Sequence, residues 1–287
     1  MKSANGFYFH DFHPLEYNRR MSLIFEDQTR VLRRCFFDVH NEVGVGYPEE
    51  AYHRAFVACC QKRGIAISSK QSGRLNYHET LVHTFQYDVL AYDEILLELK
   101  ALPGGFAQEN YFQIISYLKF WKKSLGLLVN FGQERVKVER VPYAEKPLVI
   151  SEDYEHLQPW LMKEIRAVLR PTRAGILEVA RRHGLGYGEA VCRKLLAAEW
   201  QHRALAVRGG LFSPVKFEED ELGSFPVDAV LVGEQVLCCA SALKDEIGPY
   251  ELGKVQAYLR ALDLPVGLAV NFGKHALQIR GVKPPTR

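Results

Sequence analysis

The chain has 287 residues, 47% of them hydrophobic and 25% charged, with a formal net charge of +3. That balance excludes wholesale disorder and leaves enough apolar mass for a buried core. No long apolar run offers a membrane span, and His, Asp, Glu and Arg interrupt the first thirty residues, so no secretory signal is visible. The small positive excess permits nucleic acid as a partner without arguing for it. Cys35, Cys59, Cys60, Cys192, Cys238 and Cys239 form no C-x-x-C pair, so a zinc ribbon or thioredoxin-like motif is absent. They read as reduced, buried thiols of a cytoplasmic protein.

In chain order, residues 1–20 are aromatic and His-rich without clear periodicity, and read as an N-terminal arm. Ile24 to His40 places apolar residues three and four apart and predicts a helix. Pro48 to Arg63 predicts a second, with proline near its start and Gly64 after its end. Strand-like runs follow at Ile65–Ser68, Val82–Ala91 and Ile95–Leu102, then an amphipathic helix over Gln108–Lys122 and two strands, Leu125–Phe131 and Arg135–Val141. Pro142 to Pro147 reads as a loop. Tyr154 to Leu169, with Leu157, Trp160, Leu161, Ile165 and Val168 at helical spacing, reads as a bridging helix.

The chain then repeats itself. Gly44-Val-Gly46-Tyr47-Pro-Glu49 returns as Gly184-Leu-Gly186-Tyr187-Gly-Glu189, and Phe85-Gln-Tyr-Asp88 as Phe225-Pro-Val-Asp228, both displaced by 140 positions. Gly126-Leu-Leu-Val-Asn130-Phe-Gly132 returns as Gly267-Leu-Ala-Val-Asn271-Phe-Gly273, displaced by 141. Colinear matches at nearly one offset indicate a tandem duplication with units of roughly 100–120 residues, an ordinary domain size. The expected division is an arm over 1–20, a first module over 21–145, a linker and bridging helix over 146–172, and a second module over 173–287. Each module is expected to be α/β, with a mixed sheet flanked by helices.

The segment Tyr87-Asp88-Val-Leu-Ala-Tyr-Asp93-Glu-Ile-Leu-Leu-Glu98-Leu-Lys100 carries the chemistry. A turn centred on Asp93 sets Asp88 opposite Glu98, and alternation along the strand puts Lys100 on the face of Glu98. Burying charges among Ile95, Leu96, Leu97 and Leu99 is costly unless something neutralises them. Two neighbouring carboxylates repel unless a cation sits between them, and hard oxygen donors fit Mg²⁺. A Glu98–Lys100 ion pair at a solvent-facing edge is the plainer alternative.

These residues resemble a known family. Asp88 followed by Glu98-Leu-Lys100 is similar to the D…(D/E)-x-K signature of the PD-(D/E)XK nuclease superfamily, and Gly46-Tyr-Pro-Glu49-Glu-Ala-Tyr52 to the motif of its GxxExxY branch. His40-Asn-Glu-Val-Gly44, Gln113-Ile-Ile-Ser-Tyr117-Leu118 and Leu128-Val-Asn130-Phe-Gly132 also resemble that branch. The resemblance implies two tandem restriction-endonuclease-like αβββαβ modules and Mg²⁺-dependent cleavage of phosphodiesters, with Mn²⁺ able to substitute. By position, Asp88, Glu98 and the Leu99 carbonyl would hold the metal, and Glu49 would complete the carboxylate set or bind a water on the metal. Lys100 would orient the attacking water, and Gln113 would contact phosphate or brace the site. Tyr52 and His40 would be accessory. The partner would be nucleic acid, with DNA favoured, and the chain would act as an intramolecular pseudo-dimer or as a homo-oligomer.

The second copy departs from this pattern. Glu189 and Asp228 persist, but Cys238 or Cys239 stands at the Glu98 position and Ala240 or Ser241 at the Lys100 position, depending on where one gap falls. Tyr52 becomes Cys192, His40 becomes Ala180 and Gln113 becomes Lys254. The second module therefore reads as a degenerate nuclease and the chain as a protein with one live site, which implies nicking. The competing reading is a non-catalytic nucleic-acid- or protein-binding module of a larger assembly.

Overall fold

Apolar residues at helical spacing make α1 (Glu26–Val43), which buries Leu32, Cys35, Phe36 and Val39, and α2 (Glu49–Lys62), which buries Tyr52, Phe56 and Cys60. The turn between them needs glycine: Gly44 and Gly46 have φ of 78° and 93°, where a side chain is strained. The computed structural model describes residues 24–157, 159 and 161–285; the expected arm over 1–20 and Trp160 lie outside the described residues.

After α2 come β1 (Ile67–Ser69), β2 (Ser72–Tyr77), β3 (Thr80–Gln86), β4 (Val89–Ala91), β5 (Ile95–Lys100), α3 (Gln108–Trp121), β6 (Leu125–Asn130) and β7 (Lys137–Pro142). The first sheet has the order β1-β4-β5-β6-β7. β5 and β6 are parallel and joined through α3, and the other pairs are antiparallel. The strand expected over Val82–Ala91 is two strands. β3 pairs only with β2 in a separate ladder, and β4 joins the main sheet after a break at Tyr87-Asp88. The two pieces bury their side chains in different clusters, Val82 and Phe85 in one and Val89 and Ala91 in the other, which one straight strand could not do.

The second copy runs β8 (Ile150–Asp153), a short 3₁₀ turn (Glu155–Leu157), α4 (Lys163–His183), α5 (Glu189–His202), β9 (Val207–Arg208), β10 (Phe212–Phe217), β11 (Asp220–Pro226), β12 (Val230–Val232), β13 (Val236–Ala242), α6 (Pro249–Ala261), β14 (Val266–Phe272) and β15 (Leu277–Val282). Its sheet order, β9-β12-β13-β14-β15, repeats the first, with β8 added in parallel beyond β15. The helix read over Tyr154–Leu169 begins only at Lys163 and continues through Pro171 to His183. Both copies thus have the αβββαβ order with a mixed sheet flanked by helices.

By packing, the described chain forms two units that are not sequence blocks. One holds the described residues up to Ser69 with Asp88–Phe106 and Lys123–Tyr143; the other holds Lys70–Tyr87, Ala107–Lys122 and the residues from Ala144 onward. The β2–β3 hairpin and α3, encoded in the first copy, therefore belong to the second unit. The core of the first unit lies between α1, α2 and one face of the sheet, where Leu32, Phe36, Phe56, Ile95, Leu97, Leu99 and Val129 meet.

Candidate active site

On β5, Ile95, Leu97 and Leu99 face that core, so alternation turns Leu96, Glu98 and Lys100 to the other side of the sheet. β4 pairs with β5 as Val89↔Leu97, Leu90↔Leu96 and Ala91↔Ile95. Extending this register by one step sets Asp88 opposite Glu98. Both carboxylates are buried, Asp88 at 6% and Glu98 at 3% exposure. Asp88 Oδ2 accepts the Leu99 N–H at 2.8 Å, which fixes this carboxylate beside the strand.

Lys100 Nζ donates to Glu98 Oε1 at 2.6 Å and lies 3.6 Å from Glu49 Oε2 at the start of α2. Burial and then the Asp88 charge push the Glu98 carboxyl up to about 7, against the pull of Lys100, with Glu49 adding to the rise. Burial drags the Lys100 ammonium down, but the charges of Glu98, Glu49 and Asp88 outweigh it and leave it above its ordinary value. One ammonium thus faces three carboxylates.

Among the described residues, no group of three or more His, Cys, Asp or Glu side chains is arranged to hold a metal ion. The donors in place are the buried carboxylates of Asp88 and Glu98, hard oxygens whose burial, and then mutual repulsion, raise the Glu98 carboxyl. This donor set fits a hard divalent cation, which would supply the missing positive charge. Glu49 is more exposed and is tied to Lys100.

The remaining expected residues divide by role. Tyr52, fully buried and stacked on Phe131, donates its hydroxyl to the Gly44 carbonyl at 2.9 Å and so fastens the glycine turn that leads into Glu49. His40 is buried on α1, and its Nε2 has no hydrogen-bond partner. Gln113 lies on α3, in the second unit, and donates to the Tyr117 hydroxyl at 3.0 Å.

Two residues carry more than the sequence reading assigned them. His53, one helical turn after Glu49, has Nε2 2.8 Å from Ser69 Oγ and 3.3 Å from the Asp88 carbonyl. The i,i+4 spacing from Glu49 was the available signal. Asn130, fully buried and paired in register with Lys100, accepts from Leu102 N and Gly132 N and donates to the carbonyls of Leu102 and Gly104, at 2.8–3.0 Å. It pins the loop that follows Lys100. A Cβ on Gly132 would come within 2.5 Å of the Leu102 carbonyl, so the repeated Asn-Phe-Gly is a packing motif.

The second copy shows what became of the site. Parallel pairing sets Cys239 beside Ala269 and Ser241 beside Asn271, as Glu98 stands beside Leu128 and Lys100 beside Asn130. The residues at the Glu98 and Lys100 positions are therefore Cys239 and Ser241. Asp228 does not hold the Asp88 position. β12 pairs Val230↔Cys238 as β4 pairs Val89↔Leu97, so the residue just before the strand is Ala229. One extra residue between Pro226 and Val230 has moved Asp228 out of register. It is exposed and takes a hydrogen bond from Arg193 Nη1 at 2.7 Å. Cys239 packs with Leu237, Val255, Leu259 and Ala269, and burial pushes its thiol up to about 12.

Comparison with known proteins agrees with the duplication. A family model described as the PD-(D/E)XK nuclease superfamily matches residues 26–141 and again residues 167–282. No curated protein and no solved structure matches the chain.

Proposed function

Because the chain belongs to the PD-(D/E)XK nuclease superfamily, matched twice along its length, we propose that it is a divalent-metal-dependent nuclease with one active site, in the first copy. The observation that carries this reading is the charge imbalance around Glu98: two buried carboxylates in cross-strand register with a single lysine between them and Glu49. The superfamily's substrates are phosphodiesters, and DNA is the favoured one here. Asp88 and Glu98, with the Leu99 carbonyl, would hold Mg²⁺ or Mn²⁺. When bound, such an ion neutralises phosphoryl charge and acidifies water.

The protein's own groups have separable tasks. Lys100, held above its ordinary value, stays charged at neutral pH, so it acts as a hydrogen-bond donor and positive charge beside the attacking water. Glu49, partly exposed beside that ammonium, accepts a hydrogen bond from the same water. Tyr52 and His53 are positioning residues, and His40 is accessory. The second copy, without a carboxylate at either the Asp88 or the Glu98 position, serves as a pseudo-nuclease scaffold, so each chain nicks one strand. Six free cysteines favour a reducing, cytoplasmic setting. No helix among the described residues is long and apolar enough to cross a membrane.

The test is incubation of purified protein with labelled single- and double-stranded DNA and RNA in Mg²⁺, Mn²⁺ or chelator, beside Asp88→Ala and Lys100→Ala. Metal-dependent cleavage lost in both variants is the expected result. Binding without cleavage, indifferent to both substitutions, overturns the proposal in favour of a binding module.

A further inference from the structure

The two copies carry the same hairpin, and among the described residues only one of the two is covered. β2–β3 and β10–β11 share register and bulge position, so Leu75, Tyr77, Val82 and Phe85 correspond to Val215, Phe217, Leu222 and Phe225. In the first hairpin Tyr77, Val82 and Phe85 are buried and Leu75 is packed against the same cluster. In the second, Phe217, Leu222 and Phe225 are 65%, 57% and 52% exposed, and Val215 is exposed with them. A two-stranded ribbon that shows four apolar side chains to water is marginal without a partner.

The structure also shows what such a hairpin docks on. Within the second unit the first hairpin fills the groove between α4 and α5. Tyr77 Oη donates to Glu199 at 2.6 Å, and its ring meets the edge of His183. His78 contacts Glu199 at 2.7 Å and stacks on His202 at 3.7 Å, and Phe85 stacks on Tyr187. The same groove recurs in the first copy between α1 and α2, where it is an open cleft of about 430 Å³ lined by Asp38, Val39, Glu42 and Val43 of α1 and by Ala55, Ala58, Cys59, Lys62 and Arg63 at and just after α2. Six of these lining residues, Val43, Ala55, Ala58, Cys59, Lys62 and Arg63, have counterparts in the covered groove. These positions answer residue for residue, at an offset of 140, to His183, Leu195, Ala198, Glu199, His202 and Arg203. Tyr47, 56% exposed, answers to Tyr187, which is 6% exposed under Phe85.

Hairpin and groove differ between the copies in matched ways. Where the covered pair sets Tyr77 against Glu199, the exposed pair would set Phe217 against Cys59, apolar against apolar. Where His78 meets Glu199 and His202, Glu218 would meet Lys62, acid against base. The hairpin tip Glu218-Glu219-Asp220-Glu221 is acidic and wholly exposed, and the groove end carries Lys62, next to Arg63, which is paired with Asp38.

We propose that the β10–β11 hairpin of one chain docks into the α1–α2 groove of a second copy of the same chain. One groove and one hairpin per chain make the contact head-to-tail, closing into a ring or dimer, or extending into a filament, as geometry dictates.

The test is sedimentation velocity of the full chain from micromolar to near-millimolar concentration, with Phe217→Asp, Ala58→Arg and an equimolar mixture of the two. Every substituted form is checked for native circular dichroism. The wild type is expected to sediment above monomer mass. Each variant alone should associate at least about tenfold more weakly. The mixture should recover one contact, because Phe217→Asp keeps an intact groove and Ala58→Arg an intact hairpin. Glu218→Lys should weaken association, and adding Lys62→Glu should restore it. A wild type that is monomeric throughout, oligomers indifferent to both substitutions, or a mixture that fails to associate overturns the proposal. A Phe217→Cys chain that oxidises only onto its own Cys59 also overturns it, by placing the hairpin in the same molecule.

Discussion

Glu98 and Lys100 lie two positions apart on one buried strand, with Lys100 Nζ 2.6 Å from Glu98 Oε1, and this pair leaves the site short of positive charge. Lys100 also answers to Glu49, and Asp88 adds a third carboxylate to the same neighbourhood. The stability of the metal-free protein should carry the imprint of that shortage.

Glu98 retains a proton up to about 7 in the folded chain, against an ordinary 4.5. As pH rises through that window the unfolded chain gives up this proton while the native state holds it. Stability contributed by Glu98 is therefore full below about 4.5 and lost above about 7, a change of order 3 kcal/mol. Glu98→Gln should stabilise the protein in chelator at pH 8 by about 1–3 kcal/mol and do little at pH 4. Urea melts at both pH values decide, and a variant no more stable than wild type at pH 8 contradicts the account.

Removing the ammonium should act in the opposite direction. Lys100→Met leaves buried carboxylates without their cation, a defect of about 3–5 kcal/mol for a broken buried pair. The deficit should be large at pH 8 and shrink toward pH 5 as Glu98 takes up its proton. The same melts, run on this variant, measure it; a pH-independent deficit would point to lost packing instead.

Asn130 makes four hydrogen bonds to the loop after Lys100 from a fully buried position. Asn130→Ala should destabilise by about 2–3 kcal/mol and reduce cleavage, since the loop beside the lysine loses its anchor. Asn271, its counterpart, binds Lys244 and Gln278 in the second copy. Asn271→Ala should lower stability with cleavage unchanged in the protein that remains folded.

Acid sensitivity should centre on His183. Burial, then the charges of Lys119, Arg182 and His78, hold its imidazole down to about 4, and its Nε2 has no hydrogen-bond partner. The unfolded chain protonates near 6.5 while the native state resists. Stability from this group is therefore present above about 6.5 and lost as pH falls toward 4. His183→Gln should flatten the decline between those values, as read from melting temperature against pH.

Asp228, displaced from the Asp88 register and paired with Arg193, should be dispensable to cleavage. A nicking assay on Asp228→Ala should fall within about twofold of wild type, whereas Asp88→Asn should abolish nicking while keeping an acceptor for the Leu99 N–H.

Much of the site is legible in the sequence. The offset of 140 to 141 exposed the duplication, and the turn centred on Asp93 set Asp88 opposite Glu98, because strand pairing across a short hairpin is local arithmetic. The break of Val82–Ala91 into two strands was not legible, since both halves alternate in the same way and only their separate clusters divide them. Nor was the loss of Asp228. One inserted residue turns a side chain to the opposite face, and the motif reads the same on either side of the gap. His53 was missed because its contacts to Ser69 and the Asp88 carbonyl join segments far apart in the chain.

The two copies, their helices and strands, and the residues able to bear charge on the central strand are written in the amino-acid order, because they follow from short-range periodicity and repetition. The folded chain alone reveals that Glu49 reaches Lys100, that the first copy's hairpin and α3 belong to the second unit, and that one hairpin is covered while its twin is exposed. Those outcomes depend on which surfaces meet, and packing between distant segments leaves no period in the chain.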